Sequence, residues 1–272
     1  MNRQMRNASI AICALSLLPF LTQPVYATEP PITKVNGTLS EIDGLPVLRV
    51  WGTPKERGFA HGYLLADTIK AMVNSFLAEG PLGGSLEHYT KEMLPKLARM
   101  KIDPAYEAEM HGILAGIESR LGGPVEVGFL RRPLKYEDIL AINCTGDLTR
   151  FACSSFAAWD EMTEDGHTIA GRTMEWPELS SIIERQIVLV NAPSADGGTK
   201  GWVAITWPSY VGCITGMNSE GVTVATHDAD GRPSSVTSGF TPSAWTFRRA
   251  VELAAADTAF VALQLRTQWP PM

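Results

Sequence analysis

The sequence predicts an α+β protein, and three observations predict it. Residues 53–142 carry apolar side chains at helical spacing between helix-start and helix-stop residues. From Cys153 onward the apolar runs shorten to strand length and are separated by turn residues. The change falls just after Asn143-Cys144-Thr145-Gly146, which marks the boundary at Cys153 as functional. With 272 residues, 45% of them hydrophobic, the chain can bury one large core or two small ones.

Taken in order, residues 1–27 read as a secretory signal. Arg3 and Arg6 form its charged start, Ala8 to Leu21 its apolar run, and Val25-Tyr26-Ala27 its cleavage site. The run is too short to span a bilayer comfortably. An uncleaved anchor is the alternative. The signal predicts a secreted or periplasmic protein with three segments: 1–27, a mainly helical 28–152, and a catalytic 153–272. Ile32 to Val50 holds one or two short strands around Asp43-Gly44. Thr53, Pro54 and Glu56 then form a capping box with proline at the first helical position, opening a helix to Ala78 that Gly80-Pro81 ends. Leu86 to Met100 is helical, disturbed at Pro95. Asp103-Pro104 starts a helix that stops at Gly122-Gly123, and Tyr136 to Ile142 is apolar.

Cys153 to Trp176 reads as a hairpin. Ser155, Ala157 and Trp159 lie on one side of an extended segment and Phe156 and Ala158 on the other. Glu164-Asp165-Gly166-His167 supplies the turn, with Gly166 free to take positive φ. Further strands follow at Gln186–Asn191 and Gly201–Thr206. Val211–Met217 and Val222–Thr226 make a second hairpin across Asn218-Ser219-Glu220-Gly221, and a helix runs from Ser243 to about Arg266. Strands followed by a helix fit one sheet covered by helices.

Charge and cysteine usage narrow the function. The net charge of −6 becomes −8 without the signal, with 21 basic against 29 acidic residues, which argues against nucleic acid and anionic membranes as partners. Cys13 leaves with the signal. Cys144, Cys153 and Cys213 remain, and an odd count in an exported protein points to a free thiol. A Cys144–Cys213 bridge, or three inert buried thiols, is the bland reading. There is no Gly-x-Ser-x-Gly, His-Glu-x-x-His or Cys-x-x-Cys, no phosphate-binding loop, and His61, His88, His111, His167 and His227 are scattered. No cofactor or metal is expected. Trp159, Trp176, Trp202, Trp207 and Trp245 read as core rather than as an acyl pocket.

The chemistry is expected at Cys153. Hairpin strands lie about 5 Å apart, so Arg172 on the return strand can sit beside Cys153 and favour its thiolate. A cysteine, a hairpin and then Gly171-Arg172-Thr173-Met174-Glu175-Trp176 resembles the N-terminal-nucleophile hydrolases of the isopenicillin N acyltransferase type. Bile-salt hydrolases and penicillin V acylases are more distant relatives. Arg57-Gly58-Phe59-Ala60-His61-Gly62 is similar to an N-terminal element of the same family, although a helix histidine such as His61 suits a structural role.

The resemblance implies an αββα sandwich, self-cleavage between Ala152 and Cys153, and a new α-amine as base for the thiol. Arg172 matches the family arginine, Thr173 stands where asparagine is usual, and Glu175 where aspartate is usual. Gly216-Met217-Asn218-Ser219-Glu220-Gly221 matches a turn whose asparagine helps form the oxyanion hole, although Asn-Ser-Glu-Gly is also plain turn sequence. The implied site is therefore Cys153, Arg172, Glu175 and Asn218. Glu175 is expected to pair with Arg172 or with the amine, or to form a structural ion pair. The resemblance covers residues 40–255. Only 120 residues follow Ala152, so the sandwich is expected to be truncated.

The expected partner is a small amide or acyl substrate. Two other readings stand beside this one. In the first, His227-Asp228 activates Cys153 as a conventional Cys–His pair without cleavage; Asp160 and His167 are surface turn residues. In the second, the chain binds acyl ligands without turnover.

Overall fold

Asp43 and Gly44 fold the first hairpin. Both take positive φ, 49° and 82°, as a type I′ turn requires. The turn joins β1 (Gly37–Ile42) to β2 (Leu45–Val50) in register from Gly37↔Val50 to Ile42↔Leu45. The computed structural model describes residues 32–79, 84–148, 152–175, 180–195, 198–227 and 241–254. The signal segment, Gly80-Pro81, Trp176, Asp228 and the chain beyond Ala254 lie outside them.

The capping box opens α1 (Pro54–Leu64): Thr53 Oγ1 accepts from the Glu56 N–H (3.3 Å) and Glu56 Oε2 accepts from the Thr53 N–H (2.8 Å). The single helix expected to Ala78 is two, with α2 at Ala66–Glu79. The break at Leu65 lets α1 keep one face on the later helix that starts at Pro104 while α2 turns Ile69, Met72, Val73, Phe76 and Leu77 into the core. Pro95 cannot donate to the carbonyl four residues back. The chain there divides into α3 (Leu86–His88), a wide π turn at Tyr89–Met93, and α4 (Leu94–Leu97). Helix α5 (Pro104–Leu121) is capped by Asp103 and closed by Gly122 at φ 79°. A two-residue ladder, β3 (Glu126–Val127) with β4 (Arg132–Pro133), carries no periodic signal. Helices α6 (Tyr136–Asn143) and α7 (Thr145–Leu148) lead to the boundary.

After it come β5 (Ala152–Asp160), β6 (Gly166–Glu175), α8 (Ser180–Ile183), β7 (Ile187–Asn191) and β8 (Trp202–Thr206), then β9 (Thr215–Asn218), β10 (Thr223–Ala225) and α9 (Ser243–Leu253). The strand expected from Val211 starts only at Thr215. The backbone before it is held otherwise: Val211 N–H donates to Asn143 Oδ1 (2.7 Å), Val211 O accepts from Arg248 Nη1 (2.6 Å), and Cys213 N–H donates to Ala244 O (3.0 Å).

Among the described residues the strands form a six-stranded sheet, β1-β2-β7-β8-β9-β10, in which β2 and β7 are parallel, while β5 and β6 pair only with each other. The expectation of one sheet is therefore corrected. The six-stranded sheet also crosses the 152/153 boundary, because β1 and β2 precede it. One face, with Leu48, Val50, Leu189, Trp202, Ala204 and Val224, is buried in the helical core. The register places Val47, Val188 and Ile205 in one row of the opposite face, and Arg49, Val190, Val203 and Met217 in the next. Ile205 and Met217 are exposed there.

Helices α1 and α5 meet at their glycines. A side chain at Gly58 or Gly62 would strike the backbone of Glu109 or Ile113, and one at Gly116 the backbone of Phe59. Small residues four apart on both helices allow this close approach. Beside the contact lies a buried ionic group. Glu109 Oε2 accepts from Arg248 Nη2 (2.7 Å) and Arg57 Nη2 (3.2 Å), and Glu252 accepts from Arg248 Nε (2.8 Å) and Tyr106 Oη (2.8 Å). Burial opposes the charge on Glu109, but the Arg248 and Arg57 guanidinium groups outweigh it and hold the carboxyl below its usual range.

Candidate active site

Side-chain alternation puts the thiol and the guanidinium together. Cys153 faces Met174 and Ser155 faces Arg172 across the β5–β6 ladder. All four share one face, with Arg172 the diagonal neighbour of Cys153. Arg172 Nη2 lies 2.9 Å from Cys153 Sγ. The same guanidinium donates to Thr215 Oγ1 (2.7 Å) and to Thr226 O (2.8 Å), so it docks the start of the hairpin on the β9–β10 edge. Three contacts in different directions suit the planar fork of arginine rather than a lysine ammonium. The expected tight turn is a longer loop, residues 161–165 between Asp160 (φ 49°) and Gly166 (φ 74°). The added length follows a register shift between Ala158 and Asp160.

The three described cysteines are free. Burial raises the Cys144 thiol well above its ordinary value and pushes Cys213 up to about 12. Cys153 is half-exposed, whereas the other two are buried. Of the three, Cys153 is the accessible thiol.

Glu175 has other partners. It is three residues from Arg172 and so stands on the other face of β6, where Oε1 accepts from Ser154 Oγ (2.8 Å) and Thr173 Oγ1 (3.2 Å). It does not pair with Arg172. Asn218 is likewise engaged. Its Nδ2 donates to Val251 O (3.1 Å) and Ala254 O (2.8 Å), and its Oδ1 accepts from the N–H groups of Glu220 and Val222, each at 3.0 Å. The amide is fully committed to tying the β9–β10 turn to the end of α9. Asn218 is also three residues along β9 from Thr215, roughly 10 Å from the end that Arg172 grips.

His227 approaches residue 153 on the backbone side: its Nδ1 lies 3.2 Å from Cys153 O. The ring is not bonded to the thiol, as a conventional Cys–His pair would require. His61 is a packing residue: its Nε2 accepts from the Ser209 N–H (2.9 Å), and burial lowers its pKa to about 4. His167 is exposed at the hairpin loop. Trp202, Trp207 and Trp245 are core, whereas Trp159 is 53% exposed on the β5–β6 hairpin, along with Phe156 (65%) and Ile169 (56%).

Spacing alone missed Thr215, Thr226 and Asp147. Thr215 and Thr226 are 43 and 54 residues from Arg172 and carry no motif of their own. Asp147, just before the boundary, accepts the Ser243 N–H at 3.0 and 3.2 Å and thereby caps α9; burial pushes its pKa up to about 6.

No family model matches the chain. It is similar to protein dcd1B of Dictyostelium discoideum, with 22% identity over 207 residues, 73% of this chain and 41% of that protein. It is also similar to an uncharacterized protein of Archaeoglobus fulgidus, with 22% identity over 211 residues, 67% of this chain and 32% of that protein. The chain thus spans less than half the length of these curated relatives.

Proposed function

We propose that this chain is a cysteine N-terminal-nucleophile enzyme that cuts itself between Ala152 and Cys153 and then acts on amide bonds through a Cys153 thioester. The observation that carries the reading is the 2.9 Å contact between Arg172 Nη2 and Cys153 Sγ at the start of a hairpin. A half-exposed thiol beside a fixed cation is an activated nucleophile. Its place at the change from helical to strand segments suits the first residue of a new chain.

The Cys153 thiol attacks the Ala152 carbonyl, the carbon–nitrogen bond breaks, and the nitrogen leaves as the α-amine with the thiol proton. Water then hydrolyses the thioester. In the processed enzyme the α-amine, whose ordinary pKa of about 8 suits a base near neutrality, takes the thiol proton. The thiolate attacks a small amide substrate, the substrate amine leaves with a proton, and water or another amine releases the acyl group. Asn218 is committed elsewhere, so this reading gives the developing oxyanion to Arg172, the cation that donates to the sulfur.

The sheet arrangement supports an αββα reading of the fold. Helices cover one face of the six-stranded sheet, apolar rows line the other, and β5–β6 starts a separate sheet at its edge. Export to the periplasm or outside the cell is part of the same proposal and rests on residues 1–27. Among the described residues no helix is long and apolar enough to cross a membrane. The test is N-terminal sequencing and intact mass. A fragment beginning at Cys153, lost in Cys153→Ala, supports the reading. Screening amides from penicillin V to acyl-amino acids then identifies the acyl group.

A further inference from the structure

His227 has no part in the reaction as written above, yet it touches residue 153. Its Nδ1 lies 3.2 Å from Cys153 O. A carbonyl oxygen only accepts, so in this contact Nδ1 carries the proton. The basic position left on the ring is Nε2, and the ring is exposed.

The contact also fixes which edge of β5 the nitrogen of Cys153 faces. In an extended residue the N–H and C=O point to the same edge of the strand, with the two heavy atoms roughly 3 Å apart. Cys153 O is turned toward His227, which follows β10. Its nitrogen therefore faces the His227 edge too. Cleavage at Ala152 would create the α-amine there, no more than about 6 Å from Nδ1.

The arrangement closes on itself. Arg172 Nη2 holds Cys153 Sγ and also Thr226 O, the carbonyl immediately before His227. One guanidinium thus fixes both the sulfur and the backbone that presents the imidazole. Arg172 and the Cys153 thiol are the charged and titratable groups recorded at this edge among the described residues. Tyr210 and Asp147 interact electrostatically with each other, and Tyr210 with Arg172, while Glu175 stands on the far face of the hairpin.

We propose that His227 is a positioning and proton-relay residue for the processed Cys153. Its Nδ1–H anchors the Cys153 carbonyl, and its Nε2 takes on, directly or through one water, the proton that the α-amine has removed from the thiol. The proton passes from Sγ to the amine to Nε2, leaving a thiolate beside Arg172, an imidazolium, and a neutral amine free to act again. Imidazole is the side chain suited to holding a proton near neutrality. This inference rests on the N-terminal-nucleophile reading and differs from a Cys–His pair, because the imidazole acts through the amine and follows cleavage.

The test uses the full chain and its His227→Asn variant. Asparagine Nδ2 replaces the Nδ1 donor and keeps the carbonyl bond, but it is not a base. Intact mass reads cleavage, and alkylation of Cys153 by iodoacetamide from pH 5 to 9, followed by mass spectrometry, reads thiolate formation without a known substrate. The expected result is that both proteins are cut, while His227→Asn is alkylated at Cys153 about tenfold more slowly below neutral pH. A purely structural histidine would be replaced by asparagine with no such change. Coincident curves in two cut proteins overturn this inference alone. An uncut wild-type chain removes the amine and overturns the function with it.

Discussion

Arg248→Met is expected to unfold the protein at far lower denaturant, and the size of the effect follows from what the guanidinium holds. Arg248 is fully buried and donates to Glu109 Oε2 (2.7 Å), Glu252 Oε1 (2.8 Å) and Val211 O (2.6 Å). It also lies over the rings of Tyr106, at 4.4 Å, and Trp202, at 5.3 Å. Methionine fills much of the volume but none of the charge. Glu109 keeps Arg57, whereas among the described residues Glu252 keeps only the Tyr106 hydroxyl, so one buried carboxylate loses its counter-charge. Removing one partner of a buried pair costs about 3–5 kcal/mol, a large part of the ~5–15 kcal/mol that typically stabilises a domain. The folded-to-unfolded ratio falls by roughly two to four decades. Urea unfolding followed by circular dichroism measures it. Arg248→Met/Glu252→Gln removes the stranded charge while leaving Tyr106 an acceptor, and should recover more than half of the loss. A single variant within about 1 kcal/mol of wild type, or a double variant no better than the single, would refute the argument that charge compensation sets the cost.

The remaining predictions concern the boundary, the site and pH. Arg57 and Glu109 precede residue 152 and Arg248 and Glu252 follow it, and β2 pairs with β7 across the same boundary. The two fragments of a cut chain should therefore co-elute in size exclusion and separate only in denaturant. Asn218→Ala strands two carbonyls and two N–H groups and should cost about 2–4 kcal/mol in urea unfolding, while leaving Cys153 alkylation unchanged; lost alkylation in a folded variant would restore Asn218 to the site. Arg172→Lys keeps a charge but cannot serve Sγ, Thr215 and Thr226 together, so alkylation of Cys153 at fixed neutral pH should slow severalfold. His61 is lowered from 6.5 to about 4 by burial. A depressed folded pKa gives stability that is present above pH 6.5 and lost as pH falls toward 4, about 3 kcal/mol in all. His61→Gln, which keeps an acceptor for the Ser209 N–H, should flatten that part of the urea midpoint between pH 7 and 4.5.

Short-range stereochemistry was legible in the sequence. Asp43-Gly44 determined a turn, Thr53 and Asp103 determined helix starts, and Pro95 determined a disturbed helix, because each acts within four residues on backbone groups it can satisfy or deny. The neighbourhood of Cys153 and Arg172 followed in the same way, since a hairpin with a two-residue period sets which side chains share a face. That period also put Glu175 on the wrong face for Arg172, and the sequence reading overlooked it. The tertiary structure alone decided which distant groups use the same atoms. Asn218 sits in good turn sequence, yet its amide is taken by the end of α9. Thr226 meets Arg172 from 54 residues away, and His227 meets Cys153 from 74. The β5–β6 hairpin stands apart from the larger sheet, and β2 runs parallel to β7 across the boundary. Such pairings are chosen by burying whole faces and satisfying buried charges at once, a condition on the entire chain that no local spacing expresses.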